Sequence, residues 1–288
     1  CKKAEKLWFL SVICHFLTKN LDAEGLKSIA QNYDLFFIDL WGVVHNGINL
    51  HSKAIEVLVE IENCKKKYVL LTNAPRPNST VKTFLKKLGM NEKILQNVYT
   101  SGEAALTYLK KKHLGENFYH IGPPRDFDLF LDFEKNKSKD INLCNYILCT
   151  GLFDTYDNDL NYYKDLLNNH TKKKMICTNP DLIVDRGNKR ELCAGSVAMV
   201  FEKLGGEVIY FGKPYPEVYN QSTDNKNKKI LAIGDNLNTD IKGANLLNYD
   251  SMIITNGIHK EEINRDGIEK VCKNYEALVN FMQSELKW

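Results

Sequence analysis

Short apolar runs alternate with amphipathic segments along most of the chain. The runs 35–39, 68–72, 118–121, 145–150, 174–177, 207–211, 230–234 and 251–255 have the length of strands and are almost continuously hydrophobic, as strands buried on both faces must be. Segments 51–64, 79–88, 102–112, 158–169, 193–204, 240–247 and 275–286 carry apolar residues at helical spacing. Ser79 ahead of Thr80-Val81 and Ser101 ahead of Glu103 offer N-caps for two of these helices. Strands that alternate with helices predict an α/β fold, a parallel sheet covered by helices in three layers.

Two of the predicted strands end in carboxylates. Asp39 closes Leu35-Phe36-Phe37-Ile38 and precedes Leu40-Trp41-Gly42-Val43-Val44. Far along the chain, Ile230-Leu231-Ala232-Ile233 runs into Gly234-Asp235-Asn236-Leu237-Asn238-Thr239-Asp240. Reactive groups of open parallel sheets gather at the carboxyl ends of strands, so the two acidic tips predict one divalent-metal site built from distant stretches. For the tips to meet, the intervening chain must form an inserted module. We expect a core from residues 24–112 and 208–288 and an α/β cap from 113–207, hinged near His113-Leu114-Gly115 and Gly205-Gly206.

Residues 1–23 read differently. Lys2, Lys3 and Lys6 precede the apolar stretch from Leu7 to Leu17, which is too short to span a bilayer and is followed by no small-x-small cleavage site. An amphipathic N-terminal helix packed on the body is the expectation. The net charge of +3 and the short lysine runs (Lys65-Lys66-Lys67, Lys110-Lys111-Lys112, Lys172-Lys173-Lys174) fit solvated element ends rather than a nucleic-acid stripe. Eight cysteines without a C-x-x-C pair, several inside apolar runs, point to free thiols and a cytoplasmic protein.

Two further strand ends carry polar chemistry. Leu70-Leu71 leads into Thr72-Asn73-Ala74-Pro75, and Tyr210-Phe211 into Gly212-Lys213-Pro214. Carboxylates for Mg²⁺, a hydroxyl and a lysine for anionic oxygens together describe a phosphoryl-transfer site, where positioning and charge neutralisation do most of the catalysis. In their order, Asp39-Leu40-Trp41-Gly42-Val43, Thr72-Asn73, Lys213-Pro214 and Gly234-Asp235…Thr239-Asp240 resemble the four motifs of the haloacid dehalogenase (HAD) superfamily. The insertion between the Thr and Lys motifs, with Thr178-Asn179-Pro180-Asp181 and Cys193-Ala194-Gly195-Ser196 inside it, is similar to the class IIA branch of pyridoxal-phosphate, p-nitrophenyl-phosphate and nucleotide phosphatases.

The resemblance implies a HAD-like, Rossmann-like core with a cap, and Mg²⁺-dependent hydrolysis of a small phosphorylated metabolite. It implies Asp39 as the nucleophile that forms an aspartyl-phosphate. It also implies Asp39, the carbonyl of Trp41, Asp235 and, through water, Asp240 as the metal set. Thr72, with Asn73 and the backbone around Trp41 and Gly42, would bind phosphate, and Lys213 would neutralise it. Asn179 and Asp181 would reach the leaving group. Arg186 and Arg190, between Asp185 and Glu191, read rather as an exposed loop, and Tyr156, Tyr162 and Tyr163 as cover for the cap sheet. The resemblance also allows a homodimer through the caps; neither a nucleic-acid nor a membrane partner is expected.

Trp41 departs from the family pattern, which places a second Asp there to protonate the leaving oxygen. An indole cannot exchange that proton, and a lost general acid forfeits about 10²–10⁴-fold in rate. Three readings stand. His45 or water replaces the acid; or hydrolysis is confined to good leaving groups such as acyl or aryl phosphates; or the chain is a phosphometabolite-binding relic. His45 itself reads most simply as a surface loop histidine. Retention of Asp39 favours a hydrolase.

Overall fold

The computed structural model describes residues 18–186 and 189–288. The expected helix over Leu7–Leu17 lies outside the described residues. The remainder of the N-terminal segment is not helical: Lys19–Asn20 is a short strand paired in parallel with Phe281–Gln283. Two compact units are present, one made of the described residues up to Leu70 together with Asn225–Trp288, the other of Leu71–Asp224.

The first unit is built on a parallel sheet. Its strands run in the order Lys19–Asn20, Phe281–Gln283, Asp250–Ile254, Ile230–Gly234, Leu35–Ile38 and the Lys67–Leu70 part of Lys67–Thr72. Leu35, Phe36, Phe37 and Ile38 are all buried, as are all five residues of Ile230–Gly234, which explains their unbroken apolar reading. Ile38 is in register with Ile233 on one side and Leu70 on the other. From Leu35–Ile38 the chain crosses over helix Ser52–Asn63 to the strand at Lys67, whereas Ile230–Gly234 lies on the opposite side. The carboxyl end of Leu35–Ile38 is therefore a topological switch point, the place where open α/β sheets leave a crevice.

One expectation fails here. Residues 275–286 are not a helix; the last helix is Ile268–Asn274, and Phe281–Gln283 pairs with Asp250–Ile254. The carbonyl of Leu278 accepts hydrogen bonds from Asn245 Nδ2 (2.9 Å) and Ser251 Oγ (2.8 Å), so tertiary bonds hold extended a stretch whose apolar spacing also suits a helix.

The second unit has its own five-stranded parallel sheet, in the order Glu207–Tyr210, Lys174–Cys177, Tyr146–Cys149, Phe118–Ile121 and Lys137–Ser138. Ile147, Met175, Val197, Ala198 and Phe201 belong to its core, and helix Ala194–Lys203 packs there. The stretch with Arg186 and Arg190 is an antiparallel hairpin, Ile183–Arg186 with Lys189–Leu192, rather than a loop. Its exposed Arg190 pairs across the strands with Asp185 through two bonds of 2.8 and 2.9 Å. Tyr156 and Tyr162 stack on each other 3.6 Å apart, and Tyr163 is buried with its hydroxyl accepting from the Phe153 amide.

Cys64, Cys144, Cys149, Cys177, Cys193 and Cys272 are free thiols. Burial pushes the Cys177 thiol up to about 12, so it packs as a small hydrophobe rather than as a thiolate ligand. Among the described residues no helix is long and apolar enough to cross a membrane.

Candidate active site

In the first unit three carboxylates converge. Asp39 follows Leu35–Ile38 directly and its amide donates to the Ile233 carbonyl at 2.9 Å, which seats it beside the neighbouring strand that leads to Asp235. One oxygen each of Asp39, Asp235 and Asp240 can be chosen so that all lie within 4.8 Å of one another, and all three residues are buried. Like charges at that separation repel by roughly 3–4 kcal/mol per pair at an effective dielectric of about 20. Such a cluster calls for a cation between the oxygens. Hard carboxylate donors suit a divalent cation such as Mg²⁺. The residues present fit the metal that the sequence implies.

The loops that aim these groups leave no room for side chains. A Cβ on Gly42 would stand 2.2 Å from Asp235 Oδ2, and one on Gly257 would stand 2.1 Å from the same atom. Gly42 has φ +82°, a left-handed backbone that glycine adopts without strain. The Ile258 amide donates to Asp235 Oδ2 at 2.9 Å and holds the carboxylate against this wall. Asp240 lies in the first turn after the strand tip, where the Asn236 amide donates to its Oδ2 at 3.2 Å, and the cap of that turn is Asn236, not Asp240. Gly257 and Ile258 went unnoticed in the sequence, although Thr255-Asn256-Gly257 is itself a strand tip followed by a turn.

Trp41 and His45 form the turn that leaves Asp39. Their backbones bridge, the Gly42 amide donates to the His45 carbonyl at 2.8 Å, and the two rings meet edge to face with centroids 5.1 Å apart. Gly42 was expected to offer its amide to phosphate; that N–H is already used within the turn, and what Gly42 contributes is space. His45 is not a surface histidine but is only 3% exposed. Its Nδ1 accepts from the Gly47 amide at 3.0 Å, which leaves the neutral ring's proton on Nε2. Burial, with His51 adding a smaller push, lowers its pKa to about 4, so the ring is neutral at pH 7 and carries no ready acid proton.

In the second unit Thr72, Asn73 and Lys213 are all buried. Asn73 was expected to meet phosphate, but its amide is committed elsewhere. Its Oδ1 accepts from the Lys213 amide at 2.7 Å, and its Nδ2 donates to the Lys213 carbonyl at 3.0 Å and to Asp181 Oδ1 at 3.2 Å. Asn73 therefore fixes the backbone of Lys213. Gly212 permits that approach: with φ +124°, a Cβ there would stand 2.6 Å from Asn73 Oδ1. Asn179 Oδ1 accepts from the Asp181 amide at 3.1 Å and shapes the turn that presents Asp181. The Thr72 hydroxyl accepts from the Ala74 amide at 3.3 Å and keeps its own proton available to donate.

Comparison with known proteins adds the family. A model described as haloacid dehalogenase-like hydrolase matches residues 36–133, and one described as HAD-hydrolase-like matches residues 210–278. No curated protein matches the chain. Among solved structures, a hydrolase of the haloacid dehalogenase-like family from Brucella suis is 29% identical with a TM-score of 0.78, covering 91% of this chain and 99% of its own. A possible sugar phosphatase of the HAD superfamily from Cytophaga hutchinsonii is 21% identical, with a TM-score of 0.74 over 92% of this chain and 98% of its own. Glycerol phosphate phosphatase from Mycobacterium tuberculosis, in complex with magnesium, is 22% identical with a TM-score of 0.61, covering 80% of this chain and 70% of its own. The matched stretches hold the two acidic tips, and together with the whole-chain likeness they show that the chain belongs to the haloacid dehalogenase superfamily of hydrolases.

Proposed function

We propose that the protein is a Mg²⁺-dependent phosphatase that hydrolyses a small phosphate monoester through an aspartyl-phosphate on Asp39. The buried triad of Asp39, Asp235 and Asp240 carries this reading, since three carboxylates so close have no role in a dry core. The magnesium complex of the glycerol phosphate phosphatase supports the choice of metal. When bound, Mg²⁺ would neutralise charge on the phosphoryl oxygens.

A carboxylate oxygen of Asp39 attacks phosphorus, and the bond to the leaving oxygen breaks with its electron pair going to that oxygen. Water then attacks the acyl phosphate, which releases inorganic phosphate and restores the carboxylate. The Thr72 hydroxyl donates to the phosphoryl group and Lys213 offsets its charge. The five-stranded sheet between Phe118 and Tyr210 serves as the cap, with Asn179 and Asp181 near the leaving group.

Trp41 cannot protonate the leaving oxygen, and neutral His45 does not supply the missing proton at pH 7. That favours substrates whose leaving oxygen departs as a weak base, such as acyl and aryl phosphates. A screen with Mg²⁺ on wild type, Asp39→Asn and Trp41→Asp tests the reading. Wild type hydrolyses acyl and aryl phosphates, Asp39→Asn does not, and Trp41→Asp extends activity to alkyl phosphates by about 10²–10⁴-fold. Wild type indistinguishable from Asp39→Asn on every substrate would replace hydrolysis with phosphometabolite binding.

A further inference from the structure

Four residues beyond Thr72, Arg76 is held in an unusual way. Its Nε donates to Asp126 Oδ1 at 2.9 Å, the Asp126 side chain being 4% exposed and that of Arg76 30% exposed. Among the described residues the guanidinium makes no other hydrogen bond, so both of its terminal nitrogens keep their donors. A guanidinium has a rigid planar fork, and anchoring it by Nε sets the direction of the two free nitrogens.

The backbone beneath it is locked as well. Thr100 Oγ1 donates to the Arg76 carbonyl at 2.6 Å, and Ser101 Oγ lies 2.9 Å from the Ala74 carbonyl and 2.6 Å from that of Thr178. The Gly102 amide also donates to Ala74, and a Cβ on Gly102 would stand 2.4 Å from the Arg76 backbone. Asp126 sits just past the carboxyl end of Phe118–Ile121, and the adjacent strand Tyr146–Cys149 leads to Thr150, whose hydroxyl bonds His120 Nε2 at 2.9 Å. The anchor therefore belongs to the carboxyl edge of the cap sheet, and Thr72 and Arg76 share one immobilised segment. Four residues of chain span at most about 14 Å, so the two groups suit the two ends of one compact metabolite.

We propose that Arg76 is a specificity residue that reads a second oxyanion, a carboxylate or a phosphate, on the leaving group of the substrate. The inference rests on the phosphatase reading for the role of Thr72, and commits it to a substrate class: phosphate esters or acyl phosphates whose leaving group is itself an anion. A planar fork matches either oxyanion through two parallel bonds, whereas a neutral polyol offers no such partner. Asp126 acts as a positioning residue for the fork.

Binding tests the proposal without requiring turnover. Asp39→Asn protein with Mg²⁺ is titrated calorimetrically with glycerol 3-phosphate, 3-phosphoglycerate, fructose 6-phosphate and fructose 1,6-bisphosphate. The same titrations follow with Arg76→Gln and Arg76→Lys added. A fork gained should favour the anionic member of at least one pair by about tenfold to a hundredfold. A gain confined to 3-phosphoglycerate identifies a carboxylate, and one confined to the bisphosphate identifies a phosphate. Arg76→Gln brings the ratio to about one. Arg76→Lys, which keeps a cation beside Asp126 and so guards against misfolding, lowers the ratio because it lacks the fork. Equal affinities within both pairs, or a preference that survives both variants, overturns the proposal. Failure of the phosphatase reading has a different signature, namely no hydrolysis of any phosphate ester by wild type, which these binding ratios do not depend on.

Discussion

At the scale of single residues, the site is shaped as much by missing side chains as by present ones. Asp235 is wedged between Gly42 and Gly257, and neither position has room for one more carbon. We expect Gly257→Ala to displace the Asp235 carboxylate and weaken Mg²⁺ binding by at least tenfold, read by calorimetry, while Gly89→Ala, where a Cβ meets nothing, serves as a control. Unchanged affinity in Gly257→Ala would remove Asp235 from the metal set. Asn73 makes a different case. Replacing it by Ala leaves the Lys213 amide and carbonyl without their partner in a buried place, so a loss of about 2–4 kcal/mol in unfolding free energy is expected from denaturant titration. A loss under 1 kcal/mol would mean that the Lys213 backbone finds other partners easily.

At the scale of elements, the sequence was most legible where burial dictates composition. Leu35–Ile38, Ile230–Gly234 and Phe118–Ile121 can be read from their apolar runs because both faces of a parallel sheet are covered. The clustered carboxylates Asp39 and Asp235 were legible for the same reason, since an acid directly after such a run stands out. Strands Ile183–Arg186 and Lys189–Leu192 were not, because they are rich in charged residues and their pairing rests on cross-strand contacts such as Arg190 with Asp185. Of the two expected caps, Ser79 is none, since helix Asn78–Lys87 begins behind Pro77 with no side-chain cap, and the other lies one place earlier. Thr100, not Ser101, caps Ser101–Lys112 by accepting from the Glu103 amide at 2.9 Å, and Ser101 instead ties down the Ala74 carbonyl. The commitments of Asn73 and the burial of His45 were illegible, since both depend on partners brought in by the fold.

Titration of an element's buried groups is also predictable. Burial, with Lys137 as a smaller cause, lowers the His120 pKa to about 3, against an ordinary value near 6.5. Between those values the unfolded chain binds a proton that the folded one refuses, so the stability contributed by neutral His120 is present above about pH 6.5. It is lost as pH falls toward 3. The melting temperature of wild type should fall between pH 7 and pH 4, and that of His120→Gln should fall less. Parallel curves for the two proteins would contradict a buried neutral imidazole.

For the whole molecule, the metal and the fold are linked. A cation that relieves the repulsion among Asp39, Asp235 and Asp240 binds the folded chain and not the unfolded one. Mg²⁺ at a hundred times its dissociation constant then stabilises by about 2.7 kcal/mol. Thermal unfolding in chelator and in excess Mg²⁺ should show that difference, and Asp235→Asn should lose most of it. If chelator leaves wild type unchanged, the triad holds no metal of consequence.

The arrangement of the first unit also bears on its synthesis. Leu35–Ile38 needs Ile230–Gly234 at its side, yet the ribosome delivers that partner 195 residues later, the separation of Leu35 from Ile230 in their paired register. At about 5–20 residues per second the wait is roughly 10–40 s. Meanwhile all five strands of the sheet between Phe118 and Tyr210 emerge together with their partners. The nascent chain thus carries one finished sheet while a wholly apolar strand, the one that leads into Asp39, stands with an open edge. Its demand on chaperones should therefore be greatest before residue 230 has left the exit tunnel.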